Sequence, residues 1–148
     1  MRRILRSDVY RVIDANLNRS REGLRVCEDI ARFVLNSHSI SSSLKRARHS
    51  ISSIVRTRSC GIEELCRSRD VTSDVGKEQL PFSEIKRTGA LDIFLANIQR
   101  TKESVRVLEE FYKIIDKPIS KRLSSIRFMV YDIEKQAVER LAKRQNSK

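Results

Sequence analysis

The sequence predicts an all-α protein: duplicated helical hairpins forming a four-helix-bundle-like domain with pseudo-two-fold symmetry. Three observations lead there. The 148 residues contain only four Gly and two Pro, so few positions break a helix. Apolar residues recur at the 3.6-residue period of amphipathic helices, and few segments alternate as strands do. The chain also repeats itself: residues 14–28, DANLNRSREGLRVCE, return as LANIQRTKESVRVLE at 95–109, with seven of fifteen positions identical. About one identity is expected by chance at ordinary composition.

The first long helix is predicted from Asp8 to Leu35, with Ser7 as N-cap and Asn36 near its stop. Its stripe is Leu17, Leu24, Cys27, Ile30, Ala31, Val34 and Leu35. A second helix spans Ser41 to Arg56 on Leu44, Ala47, Ile51, Ile54 and Val55. A short helical turn follows near Ile62–Leu65, then the stretch SRDVTSDVGKEQLPF at 68–82, which has no helical pattern. Helix resumes at Ser83 or Glu84 and runs to Ile115, with Ile98, Val105, Leu108, Phe111, Tyr112 and Ile115 on its stripe. Pro118 stands where a first-turn proline belongs and opens a last helix to about Ala142, followed by a basic tail expected to fray. Leu44 and Arg48 match Leu123 and Arg127, 79 residues on. The unit is therefore a whole hairpin, with copies at about 8–57 and 84–142 of one domain, 1–148. Short connections make each pair antiparallel.

Charge is the strongest bulk signal: 31 Lys and Arg against 19 Asp and Glu, a formal net +12. This favours an anionic partner: nucleic acid, a lipid surface or a phosphorylated small molecule. Sparse aromatics and the absence of Trp weaken a single-strand stacking platform. No apolar run reaches the ~18 residues that cross a membrane, and the N-terminus lacks a secretory core. Three cysteines without CxxC spacing fit a reducing cytosol, so a cytoplasmic location is expected. A glycine phosphate cradle, an HExxH site and a GxSxG elbow are missing. His38 and His49 are the two histidines, and neither sits in an ExxH spacing, which disfavours a carboxylate metal centre of the ferritin kind.

The identities within the repeat are mostly polar: Asn16/Asn97, Arg19/Arg100, Glu22/Glu103, Arg25/Arg106 and Glu28/Glu109. A repeat kept for packing alone would preserve its apolar residues instead, so this ladder is a candidate for chemistry. On a helical wheel the asparagines fall inside the apolar stripe, where two amides can also pair across the bundle to set register. The arginines and glutamates can form i, i+3 ion pairs, each contributing ~0.2–0.5 kcal/mol. If the two ladders instead converge at the bundle axis, they make a fork-shaped anion site. Asp70, Asp74 and Gly76 in the irregular stretch suit a divalent cation bridging phosphates, although Asp and Gly are also ordinary turn formers.

DANLNRSREGLRVCEDIARF, LKRARH, RDVTSDVG, LANIQRTKESVRVLEEFYK and IRFMVYDIE, in that order, together resemble one family. It is the small hydroxymethylpyrimidine-phosphate kinase family, found standing alone or fused in front of thiamine-phosphate synthase. The likeness runs from about Val12 to Glu134 and looks like the standalone form, since a synthase barrel does not fit in 148 residues. It implies phosphorylation of 4-amino-5-hydroxymethyl-2-methylpyrimidine phosphate to the diphosphate, in thiamine biosynthesis, with ATP as co-substrate and Mg²⁺. Matching positions include Asp14, Arg69, Tyr131 and Glu134 besides the ladder and loop residues.

On that resemblance, Arg19, Arg25, Arg100 and Arg106 are expected to be catalytic, neutralising two phosphates. Asn16, Asn97, Glu22, Glu103, Lys45 and Arg48 are expected to bind substrate, an asparagine reading the aminopyrimidine edge. Asp70 and Asp74 are expected to hold Mg²⁺. Partners are then the phosphorylated pyrimidine and ATP, with no membrane; nucleic acid is disfavoured and a homodimer stays open. The alternative is a basic helical nucleic-acid-binding module driven by the net charge. That alternative spreads basic residues over an outer face rather than duplicating them beside carboxylates.

Overall fold

The computed structural model describes residues 4–57, 60–77 and 86–147. Helix α1 (Arg6–Asp29) runs without a break into a π-helical turn, Ile30–Val34. Helices α2 (His38–Ile54), α3 (Ile62–Ser68), α4 (Ala90–Ile115) and α5 (Lys117–Asn146) follow. No strand occurs among the described residues.

The ends show why the expected boundaries moved. Leu5, not Ser7, caps α1, and it does so without a side-chain bond. The widened turn closes with Leu35 N–H donating to Ile30 O (3.0 Å) and Ser37 N–H to Ala31 O (2.9 Å). Asn36, at φ 51°, then reverses the chain in the left-handed conformation that Asn tolerates better than most residues. Ser37 caps α2 by accepting from Ile40 N–H, so α2 starts three residues before the expected Ser41. Asp116 caps α5 in the same way, accepting from Ile119 N–H, with Pro118 in the first turn. The expected start of the third long helix at Ser83 or Glu84 lies outside the described residues. Residues 86–88 are not helical, and Gly89 caps α4. The basic tail stays helical as far as Asn146.

Helix α1 packs on α2 and α4, and α5 packs on α4 and α2. Arg122–Ser53 (3.3 Å) and Arg140–Ser37 (2.9 Å) set α5 antiparallel to α2. The Cys27 thiol against Phe94 O (3.7 Å) and Thr101 Oγ1 against Ser20 O (3.5 Å) set α1 antiparallel to α4. The axis between the four helices is filled by Leu24, Ile51, Ile98, Leu108, Leu123 and Val130, all fully buried. Small residues permit the closest approach: a Cβ on Gly23 would lie 2.5 Å from Thr101 Oγ1 and 2.7 Å from Asn97 O. Helix α3 packs on α1 and delivers the loop that follows it to the flank of that helix.

Candidate functional site

Glu28 and Glu109, equivalent in the two halves, are buried carboxylates, 7% and 6% exposed. Arg48 Nε reaches Glu28 Oε2 at 2.9 Å, and Arg127 Nε reaches Glu109 Oε2 at 2.8 Å. Arg25 adds Glu28 (3.8 Å) and Asp29 (3.5 Å); Arg106 adds Glu109 (2.9 Å) and Glu110 (2.8 Å). Each hairpin is thus tied across its two helices by one buried carboxylate held between two guanidinium groups. A buried carboxylate needs such partners to remain charged. Polar identity at these positions therefore has a structural use, tying each hairpin across its two helices. The rungs Arg19–Glu22 and Glu22–Arg25 do not form among the described residues.

The ladders do not converge at the bundle axis, which is apolar. Arg19, Arg25, Arg100 and Arg106 are all exposed, on outer flanks. The asparagines do not pair across the bundle either. Asn16 donates to Val12 O and Asn97 to Ile93 O, each at 2.8 Å and four residues back on its own helix. Asn16 is buried while Asn97 is half-buried.

Four of the expected site residues come together in one cavity of about 570 Å³. Helix α1 supplies Asn16 and Arg19, along with Asp8 and Arg11; the loop after α3 supplies Asp70 and Asp74; Val107 of α4 closes one wall. What brings the loop here is a two-pronged ion pair. Arg69 places Nε 2.7 Å from Asp14 Oδ2 and Nη2 2.7 Å from Asp14 Oδ1, the fork geometry in which Arg binds carboxylate most strongly. Asp14 is 7% exposed, and the contact raises the Arg69 guanidinium further above its already high value. Asp8, Arg11, Asp14 and Arg69 were not among the expected site residues. Asp14 and Arg69 were visible only as positions matching the family pattern, and Asp14 also as a break in the repeat, with Leu95 opposite it in the second copy.

Each loop carboxylate builds a turn with one oxygen. Asp70 Oδ1 accepts from Ser73 N–H (3.0 Å) and Asp74 Oδ1 from Gly76 N–H (2.9 Å). Ser73, chiefly through its backbone N–H, holds the Asp70 carboxyl below the usual carboxylate range. Both carboxylates therefore form turns, as Asp commonly does. Among the described residues no group of three or more His, Cys, Asp or Glu is placed to hold a metal. Mg²⁺ does not require such a cage, because it takes one or two carboxylates and completes its shell with water and phosphate. Four carboxylates face three guanidinium groups around this cavity. Asp70 and Asp74 are oxygen donors of the kind Mg²⁺ accepts.

Glu22, Arg25 and Arg48 line a different cavity, of about 490 Å³, with Asn18, Arg21 and Val26. Neither cavity takes in Lys45, Asn97, Arg100, Glu103 or Arg106. Glu103 accepts from Gln99 (2.9 Å), and Lys45 is exposed on α2. Arg100 directly precedes Thr101, which touches α1 at Ser20, and Arg19 directly precedes Ser20. Each arginine is thus one residue along the chain from the contact between α1 and α4. No helix among the described residues is long and apolar enough to cross a membrane.

The chain is similar to thiamine-phosphate synthases. It is 36% identical to that of Nostoc punctiforme over 126 residues, 85% of this chain and 34% of the relative. It is 38% identical to that of Rhodopirellula baltica over 123 residues, 83% of this chain and 32% of the relative. With that of Synechococcus sp. it shares 36% over 131 residues, 88% and 35%. The chain spans about a third of the length of these curated relatives. No solved structure matches it. The ThiD2 family matches residues 11–136, which include most of α1 and every residue lining the two cavities except Asp8. The chain belongs to the ThiD2 family.

Proposed function

We propose that this chain is an ATP-dependent kinase that converts 4-amino-5-hydroxymethyl-2-methylpyrimidine phosphate to the diphosphate. The observation that carries this reading is the cavity of Asn16, Arg19, Asp70 and Asp74, which joins a guanidinium, an amide and two carboxylates in a space of about 570 Å³. Membership of the family supports it, as does the resemblance of the relatives' name to the same pathway.

The nucleophile is a phosphate monoester whose second pKa is about 6, so it is mostly dianionic at neutral pH. One of its oxygens bonds to the γ-phosphorus of ATP while the bond from that phosphorus to the β–γ bridging oxygen breaks, releasing ADP. No proton has to be removed from the nucleophile, which agrees with a cavity that contains no histidine. What the protein must supply is alignment and relief of repulsion between two anions. Arg19 does this from inside the cavity and Arg100 from beside the contact between α1 and α4, while Asn16 offers an amide to the aminopyrimidine edge. Asp70 and Asp74 would hold Mg²⁺, which supplies charge neutralisation on the ATP phosphates. The free alcohol lacks the charge these arginines need, so it is expected to be a poor substrate.

The test is incubation with ATP, Mg²⁺ and the pyrimidine monophosphate, following the diphosphate by chromatography. Arg19→Ala and Arg100→Ala should each lower kcat more than tenfold with the circular dichroism spectrum unchanged. Absence of diphosphate under all conditions overturns the kinase reading; near-normal kinetics in both variants removes these arginines from the site.

A further inference from the structure

The two halves of the chain treat one face of their hairpins differently. In the second half Lys102 is neutralised by Glu134, with Nζ 2.9 and 2.8 Å from its two oxygens. Tyr131 fills the space beside them: its hydroxyl accepts from Arg127 Nη1 (3.1 Å), and Lys102 lies 5.7 Å from its ring centre. The matched ion pairs Glu28–Arg48 and Glu109–Arg127 fix the correspondence of α2 with α5 at 79 positions. By that register Glu134 corresponds to Val55 and Tyr131 to Ser52. Ser52 turns its hydroxyl back to its own helix, donating to Arg48 O.

The first half therefore keeps the cations and lacks both the acid and the ring. Arg21, the counterpart of Lys102, has its Nε buried with no hydrogen-bond partner among the described residues. Arg21 also lines a cavity of about 490 Å³ with Asn18, Glu22, Arg25, Val26 and Arg48. Of its three guanidinium groups, Arg48 is held by Glu28 and Arg25 by Glu28 and Asp29, which leaves Arg21 as the one without an ion pair among the described residues. A buried, unpartnered donor on a charged group is costly, and buried polar groups in folded proteins almost always have a partner. A cavity lined by several arginines, one of them without an acidic partner among the described residues, is complementary to an oxyanion.

We propose that this cavity is a phosphate-binding site, taking the phosphate of a small ligand or free phosphate between Arg21, Arg25 and Arg48. Its lining shares no residue with the cavity of Arg19. It does not depend on the kinase reading. The second half, with Glu134 and Tyr131 in place, is the same site closed from within.

The structure supplies the test, because the closed copy can be built into the open one. Val55→Glu introduces, at the position matched to Glu134, the carboxylate that neutralises Lys102 in the second half. Side-chain N–H resonances of the arginines in ¹⁵N spectra are followed as inorganic phosphate, tripolyphosphate and sulfate are added separately. The Arg21 Nε–H signal should shift saturably with phosphate or tripolyphosphate, and at tenfold lower concentration than with sulfate. The tighter of those two distinguishes free phosphate from a polyphosphate-bearing ligand. Val55→Glu should weaken the response at least tenfold and leave kinase turnover with saturating substrates within twofold. Should Val55→Glu not fold, Arg21→Gln is expected to give the same loss of binding. An equal, weak response to all three anions means an adventitious ion only and overturns the proposal. So does a phosphate response that survives in Val55→Glu, or no response at Arg21.

Discussion

Gly23→Ala tests whether the crossing of α1 and α4 is as tight as the structure has it. The new methyl would meet Thr101 Oγ1 at 2.5 Å and Asn97 O at 2.7 Å, about 1 Å inside the 3.5–4.0 Å at which nonbonded atoms sit comfortably. Neither neighbour yields easily. The Thr101 hydroxyl is already bonded to Asn97 O (3.0 Å) and lies against Ser20 O (3.5 Å), and the Asn97 carbonyl belongs to the α4 backbone. Overpacking of this kind costs about 1–3 kcal/mol, against roughly 1 kcal/mol gained when Gly becomes Ala inside a helix. The net is a loss of about 1 kcal/mol, which lowers Tm by about 3 °C for a domain of this size. Urea unfolding should show the midpoint falling with the slope unchanged. Adding Thr101→Ala removes the hydroxyl contact but not the carbonyl, so recovery should be partial. A Gly23→Ala protein more stable than the parent would show that helix propensity alone governs this position, and the close crossing would be refuted.

Three further outcomes follow from the ion pairs and thiols. Glu109→Gln should destabilise by about 2 kcal/mol, because it leaves Arg127 without its buried partner. Glu28→Gln should cost less, since Arg25 sits 3.8 Å from Glu28 while Arg106 is 2.9 Å from Glu109; urea titrations of the two variants rank them. Asp14→Asn releases Arg69 from its two-pronged contact. Limited proteolysis should then cut within 69–77 sooner, and diphosphate formation should fall about tenfold if that loop serves the Arg19 cavity. Cys66 is exposed while Cys27 and Cys60 are buried; burial pushes the Cys60 thiol up to about 11 and the Cys27 thiol higher still. At pH 8 a thiol reagent should therefore titrate one group per chain, and all three only after unfolding, because the thiolate is the reactive form.

The helical hairpins were legible in the sequence because their cause is local. Apolar periodicity, the first-turn Pro118 and the scarcity of Gly and Pro elsewhere act within a few residues. Boundaries were less legible: the left-handed Asn36 and the π turn before it are settled by how α1 must end to let α2 fold back. The polar ladder was visible but read too simply. Its identities at Arg25/Arg106, Glu28/Glu109 and Arg48/Arg127 hold each hairpin together, and periodicity cannot distinguish an arginine that faces a ligand from one that faces a buried glutamate.

What the sequence by itself determined is the pair of amphipathic hairpins, the excess of positive charge and the polar residues each half shares. Only the tertiary structure decided that Asn16 and Arg19 meet Asp70 and Asp74, because Arg69 spans 55 residues of chain to reach Asp14. It also decided that the two halves differ where they look alike, with Lys102 paired to Glu134 and Arg21 left facing a cavity. The physical reason is that a partner drawn from another helix is set by packing geometry. A repeat shows which residues are the same, but the cavities lie where it breaks: at Asp14 against Leu95, and at Val55 against Glu134.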